Sequence, residues 1–203
     1  MPALIFGELD TLKGYILPGE LSTRDDWDTQ ITGIADGVAR SFDRYCNRTF
    51  IRDTAAIDYF SADRPFVSLK NYPIESITEI AEKTSYDGTF TAVENIISSL
   101  DEEAGLAYCN SNFGTRDTRL RVTYSGGFWV DTSDAQNGSL PSGATAMPED
   151  ILEAWRLQVS HELTLRDVLG VAAATQQANS QIKEIALLPR VKEILGKYIR
   201  YQC

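Results

Sequence analysis

Apolar positions along the chain follow two periods, one helical and one of strand type. Between Thr23 and Phe50 they fall at Trp27, Ile31, Ile34, Val38, Phe42 and Tyr45, three or four residues apart, and so form one stripe on a helix. Ser22 or Thr23 offers an N-cap, and Asp25, Asp26 and Asp28 suit the positive end of the helix dipole. The helix is expected to reach about Asn47, and its stripe needs partner helices. Those come only after Pro148, which opens a second long helix with Glu149 and Asp150 in its first turn. There Ile151, Trp155, Val159 and Leu163 repeat at helical spacing, which predicts Trp27 and Trp155 in one shared helical core. This helix should end near Leu169-Gly170, and residues 171–186, small and polar without a clear face, read as a connection. Pro189 opens a last helix with Val191, Ile194, Leu195, Tyr198 and Ile199 on one side and Lys197 and Arg200 in its last turn. Residues 7–17 predict a short first helix, with Leu9, Leu12, Ile16 and Leu17 on one face and Pro18-Gly19 as its stop.

From Ala56 to Phe128 the period falls to two and turn signals recur. Strands are predicted at 56–61, 65–69, 75–83, 93–100, 104–109 and 118–125. Tyr86-Asp87-Gly88 reads as a hairpin turn. The segment is a small antiparallel sandwich or open barrel set between helices. The fold class is therefore α+β, an antiparallel helical bundle with an inserted small antiparallel β domain. Its expected parts are 1–52, the N-terminal helices; 53–130, the β domain; 131–147, an exposed loop rich in Gly, Ser, Thr, Asn and Asp; and 148–203, the C-terminal helices and tail.

Charge narrows the class of partner. The chain has 203 residues and a net charge of -10, the reverse of a protein that holds nucleic acid by neutralising phosphates. Between Asp53 and Ala104 eleven acids face three bases, whereas from Lys183 to Cys203 five bases face two acids. This asymmetry reads either as solvated surface at both places or as a complementary contact between the tail and an acidic partner. No apolar run approaches the roughly 18 residues that cross a bilayer, and MPALIFGELD lacks the basic start of a secretory signal. A reducing cytoplasm is the expected site of synthesis. Cys46, Cys109 and Cys203 share no metal-like spacing and read as thiols.

Candidate chemistry is sparse. The one histidine, His161, lies in SHELTL, and HExxH would need a second His where Leu165 stands. Asp25, Asp26 and Asp28 are accounted for by the helix dipole, and Asp101, Glu102 and Glu103 by an acidic hairpin tip. Ser125-Gly126-Gly127 matches neither GxSxG nor a P-loop, and its glycines let the chain turn out of the sheet. No catalytic residue, metal site or cofactor site is assigned, and the chain reads as no enzyme. The rival from another class is a cytoplasmic hydrolase using carboxylates such as Asp101 or Glu102.

Four local patterns occur in order: RYCNRTF at 44–50, LKNYPIESITEI at 69–80, RVTYSGGF at 121–128 and MPEDILEAW at 147–155, followed by LPRVKEIL at 187–195. In this order and spacing the chain resembles the head-tail connector (adaptor, or head-completion) proteins of long-tailed bacteriophages and gene transfer agents. The resemblance implies a structural virion protein made in the host cytoplasm and placed at the head-tail junction. It implies a homo-oligomeric ring of about twelve copies beneath the portal protein, built from head-to-tail contacts. A stopper or tail-completion protein would bind the other face. Double-stranded DNA would pass through the lumen without specific binding, as an acidic lining permits. C-terminal segments of the family dock on the portal, which makes Lys197, Tyr198, Arg200 and Tyr201 the candidate portal-binding residues, since Tyr and Arg are favoured at interface centres. No membrane and no cofactor is implied. A stopper or tail-completion protein of the same neck is the nearest alternative.

Overall fold

The computed structural model describes residues 3–17, 25, 27–84, 88–94, 96–109, 113–115, 117–130, 139–173 and 185–200, side-chain environments being given up to residue 165 within the second long helix. The fold is α+β with antiparallel sheets. It divides into two compact units: Met1–Cys46, Val130–Ser139 and Met147–Ile199 form the first, and Asn47–Trp129, Leu140–Ala146 and Arg200–Cys203 the second.

The first unit begins with a hairpin of two short strands, β1 (Ala3–Leu4) and β2 (Gly7–Glu8), running straight into helix α1 (Leu9–Ile16). The long helix α2 spans Asp28–Cys46, α3 spans Glu149–Ala173 and α4 spans Pro189–Leu195, continued by a 3-10 turn at Gly196–Tyr198. α2, α3 and α4 pack on one another, and α1 packs on α2 and α3. Ile31, Ile34, Val38 and Phe42 are fully buried, and Ala35, Ala39 and Cys46 widen the stripe. From α3 come Ile151, Ala154, Trp155 and Val159, and from α4 Val191 and Leu195. Phe6, from the hairpin, fills the middle, its ring 6.2 Å from Phe42 and 6.1 Å edge-on to Trp155. Trp155 Nε1 donates to the Ala35 carbonyl at 3.0 Å, so its polar edge is satisfied inside the core.

The shared core predicted for Trp27 and Trp155 is not what forms. Trp27 is 38% exposed, whereas Trp155 is 2% exposed. The reason is the helix boundary: α2 starts at Asp28, and Trp27 contributes its carbonyl to Ile31 N at 2.8 Å rather than a side chain on the helical face. Phe6, which carries no periodic signal, occupies the interior instead. The proposed N-caps Ser22 and Thr23 lie outside the described residues. Residues 7–17 form a helix only from Leu9, because Gly7 and Glu8 pair with β1. α3 passes through Gly170 to Ala173, beyond the predicted stop.

Two buried polar side chains shape this unit. Gln158, fully buried on α3, accepts from Leu188 N at 2.9 Å and donates to the Ala186 carbonyl at 3.2 Å, fixing the approach to α4. Lys13 is 2% exposed, its Nζ 2.7 Å from Asp28 Oδ1 and 3.5 Å from Asp25 Oδ1. The hydrogen bond to Asp28 raises the Lys13 pKa above its ordinary 10.5, against the opposing effect of burial.

The second unit holds two sheets. β3 (Asp53–Ser61), β9 (Arg119–Gly126), β5 (Ile74–Lys83) and β6 (Thr91–Ala92) pair in that order, and β4 (Phe66–Ser68), β8 (Leu106–Tyr108) and β7 (Ser99–Asp101) form the other. A parallel pair, β10 (Phe128–Trp129) and β11 (Thr145–Ala146), completes it. Both sheets share one core, with Leu120, Val122 and Tyr124 from one and Val67 and Ala107 from the other. The strand expected at 93–100 is found only at its end, in β7: the chain leaves β5's side after β6, at Ala92, and joins β8 from Ser99, so the residues between have no common ladder. The expected turn at 86–88 lies largely outside the described residues, as does most of 131–147 and of 171–186. No described helix is long and apolar enough to cross a membrane.

Two expected outcomes follow from the first unit. Trp155→Ala should lower unfolding free energy by about 3–5 kcal/mol and Trp27→Ala by less than about 1 kcal/mol in chemical denaturation. Asp28→Asn should lower the melting temperature near neutral pH. Lys13's folded pKa is raised, so its contribution is complete below pH 10.5 and is lost as pH rises through the higher folded value. The gap between wild type and variant should therefore close at strongly alkaline pH; a gap constant to the end of the titration would assign the effect to something other than Lys13.

Candidate functional site

The candidate portal-binding residues do not fall in one compact unit. Lys197 and Tyr198 belong to the first, in the 3-10 turn after α4, and Arg200 belongs to the second. Lys197 is exposed. Tyr198 is half-buried and donates its hydroxyl to Asp150 Oδ1, in the first turn of α3, at 2.9 Å. Arg200 is held from two sides of Ser68, by Nε to Oγ at 2.9 Å and by Nη2 to the carbonyl. It stands in the wall of a cavity of about 470 Å³ that Phe60, Phe66, Arg64 and Lys70 also line. Tyr201 lies outside the described residues. The sequence places Arg200 in the last turn of a helix; α4 ends at Leu195 and the chain is extended at Ile199, which frees Arg200 to reach Ser68.

The acidic tip is a built turn. Asp101 Oδ1 accepts from Ala104 N at 3.0 Å, and the Glu102 carbonyl accepts from Ile74 N at 2.8 Å. Asp101, Glu102 and Glu103 are all exposed. Among the described residues no group of three or more His, Cys, Asp and Glu side chains is placed to hold a metal ion.

What the structure does bring together is three of the four sequence patterns that carry the resemblance. Arg48, from RYCNRTF, is 4% exposed, and its guanidinium lies 3.4 Å from the ring centroid of Tyr72, 4.7 Å from that of Phe50 and 5.1 Å from that of Phe128. Its Nη2 donates to the Tyr72 carbonyl, which precedes the cis Tyr72-Pro73 bond. Around this cage the backbones interlock: Thr49 N donates to the Lys70 carbonyl at 3.1 Å, Phe128 N to the Phe50 carbonyl at 2.7 Å and Gly127 N to the Pro73 carbonyl at 2.8 Å. Asn71 Nδ2 reaches the Ile51 carbonyl at 3.2 Å, and Arg52 clasps Glu75 through two hydrogen bonds of 2.5 and 2.8 Å. Asn47, with φ of 51°, closes α2 in the left-handed conformation that ends helices. NRTF, NYP and SGGF are therefore one structural joint.

A second buried network adjoins it. Tyr124 is fully buried; its hydroxyl donates to Asp58 Oδ2 at 2.8 Å and accepts from Asn71 N at 2.9 Å and Lys70 N at 3.1 Å. Burial raises its pKa well above the ordinary value, and the Asp58 charge adds to the effect. The signal for this pair is in the alternation: Asp58 sits between Ala56 and Phe60 on the inward face of β3, and an acid at a core position needs a donor. The signal for Arg48 is weaker, since nothing local separates it from a surface arginine.

No family model matches the chain, and no curated protein matches it. Solved structures do. A chain from the neck of an empty gene transfer agent (GTA) particle, computed with C6 symmetry, aligns over 96% of this chain and 90% of its own length with a TM-score of 0.59 and 10% identity. A chain from the virion of a native GTA particle aligns over the same shares with a TM-score of 0.58 and 12% identity. Arg48→Met should cost about 2–4 kcal/mol in chemical denaturation, from the lost cation–π contacts and the lost hydrogen bond to the Tyr72 carbonyl, and Arg48→Lys should recover only part of it. At these identities the likeness is one of fold, and it runs through both compact units of the chain.

Proposed function

We propose that this chain is a structural, non-catalytic virion protein of the neck of a tailed phage or gene transfer agent particle. In this reading it is an adaptor whose helical bundle carries the β unit as an insertion between α2 and α3, and whose copies form a ring between portal and stopper. The carrying observation is the fold likeness to GTA particle chains, one of them in the neck, over 96% of this chain and 90% of theirs. The net charge of -10 supports a channel wall past which DNA slides. Asp101 caps its turn, and the buried Asp58 is committed to Tyr124 and to the Lys70 backbone amide. Lys197, Tyr198, Arg200 and Tyr201 remain the proposed portal anchor, with Arg200 pre-set by Ser68.

Interrupting the gene in the phage or agent that carries it should yield DNA-free heads and separate tails in electron micrographs. Complete, infectious particles would overturn the reading. Removal of residues 197–203 should leave a cooperative thermal transition, lowered by loss of the Tyr198–Asp150 and Arg200–Ser68 hydrogen bonds, and abolish binding to purified portal. Portal binding only in the presence of another neck protein would make the chain a stopper rather than an adaptor.

A further inference from the structure

The outer face of the four-stranded sheet carries an arrangement that the core does not require. Leu120, Val122 and Tyr124 of β9 point inward and are buried, so Arg119, Arg121 and Thr123 point out. The registers place Arg119 between Ser61 and Lys83, and Arg121 beside Tyr59. Tyr59 is 64% exposed and Ile57, next on the same face, 51%. The Phe90 ring lies 5.9 Å from that of Tyr59, with Lys83 Nζ 5.2 Å and Arg121 Cζ 5.1 Å from its centroid. Glu79 takes one Arg121 nitrogen at 2.8 Å, and Arg121 Nε, buried, has no acceptor among the described residues. Arg119 is exposed at the edge of the group. In a chain of net charge -10, three cations around two aromatic rings form a local inversion of sign, and Tyr59, Arg119 and Arg121 are of the types favoured at interface centres.

The same chain displays the matching surface. Asp101, Glu102 and Glu103 project from the turn between β7 and β8, and the Glu102 carbonyl is fastened to Ile74 N, at the first residue of β5. Lys83 is the last residue of β5. Seven strand steps from Ile74 to Ala81, beside Arg121, and nine to Lys83, at about 3.3 Å each, put the turn and the basic face about 23–30 Å apart, so the turn cannot reach the face of its own copy. It can reach that of another. Two different faces that fit each other make a heterologous contact, which repeats head to tail.

We propose that the face formed by Tyr59, Phe90, Lys83, Arg119 and Arg121 receives the acidic turn Asp101–Glu103 of a second copy of this chain. The contact deepens the ring reading and rests on it for its purpose. Arg119 and Lys83 meet the carboxylates, Arg121 Nε gains an acceptor, and Tyr59 and Ile57 lose their exposure. Charge sets orientation and partner choice, and the aromatic pair supplies the area that leaves water.

Reversal of charge on each side tests it with full-length protein. Lys83→Glu with Arg119→Glu, and separately Glu102→Lys with Glu103→Lys, alter exposed side chains except at half-buried Lys83, and leave Asp101 to cap its turn; unchanged melting temperatures check that each pair folds. Sedimentation velocity over a concentration series at low salt should show wild-type self-association that weakens on adding salt. Each double variant alone should associate at least about tenfold more weakly, and an equimolar mixture of the two should regain wild-type association, because every contact is again between opposite charges. A wild-type chain monomeric throughout, variants that associate as wild type does, or a mixture that recovers nothing would each overturn the proposal. The neck reading fails separately: association through this contact by a protein absent from particles would remove that reading alone, and a protein present in necks with silent reversals would remove this contact alone.

Discussion

Three backbone segments meet at Gly126 and Gly127 more closely than any side chain permits. A Cβ on Gly126 would sit well inside the van der Waals contact distance of the Asn71 carbonyl oxygen and 2.8 Å from that of Pro73; one on Gly127, where φ is +98°, would lie 2.5 Å from the Ile51 carbonyl oxygen. Only glycine satisfies both demands, space at one position and a left-handed backbone at the other. The approach lets β9 end against the strand entries on both sides, and it lets Phe128 leave the sheet facing Phe50. Arg48 then fills the remaining space as a flat cation between rings, a task its planar guanidinium performs and an ammonium does not. The organisation of the second unit depends on this joint, because β3, β5 and β10 all start there.

Both units handle buried polarity by the same rule, though with different groups. In the helical unit Lys13 is neutralised by Asp28 and Gln158 serves three partners on α3 and the approach to α4. In the β unit Asp58 collects a phenol, a backbone amide and a distant ammonium. An isolated charge in such a place would be prohibitive, and a satisfied one fixes a single arrangement of the elements around it. The acidic surplus is left on the surface, where it costs little.

Much of this architecture could be read from residues alone. The stripe Ile31, Ile34, Val38, Phe42 gave the long helix because about five helical turns cannot hide a period of three to four. Alternation at Ala56, Asp58, Phe60 and at Leu120, Val122, Tyr124 gave two of the three long strands and their inward faces. Trp27 misled because hydrophobicity and spacing extend past the first residue with helical geometry, and position before the first turn carries a side chain off the stripe. The β1–β2 hairpin escaped because two-residue strands have no period to detect, and Phe6 went with it. Arg48 and Gln158 escaped for another reason: their burial is decided by residues far along the chain, which local patterns do not contain. Among the candidate anchor residues, the contact of Arg200 with Ser68 is of this kind, with 132 positions between them.

One buried thiol lies in each unit, Cys46 in the first and Cys109 in the second. Cys46 Sγ points to the Leu195 carbonyl at 3.6 Å, and Cys109 lies in the core between the two sheets. A reagent that modifies thiolates meets these atoms only when the surrounding unit opens. With Cys203 replaced by serine, the chain thus carries its own pair of clocks, one per unit and requiring no introduced label. Their two rates of modification would measure whether the helical and β units breathe as one cooperative body or on separate schedules.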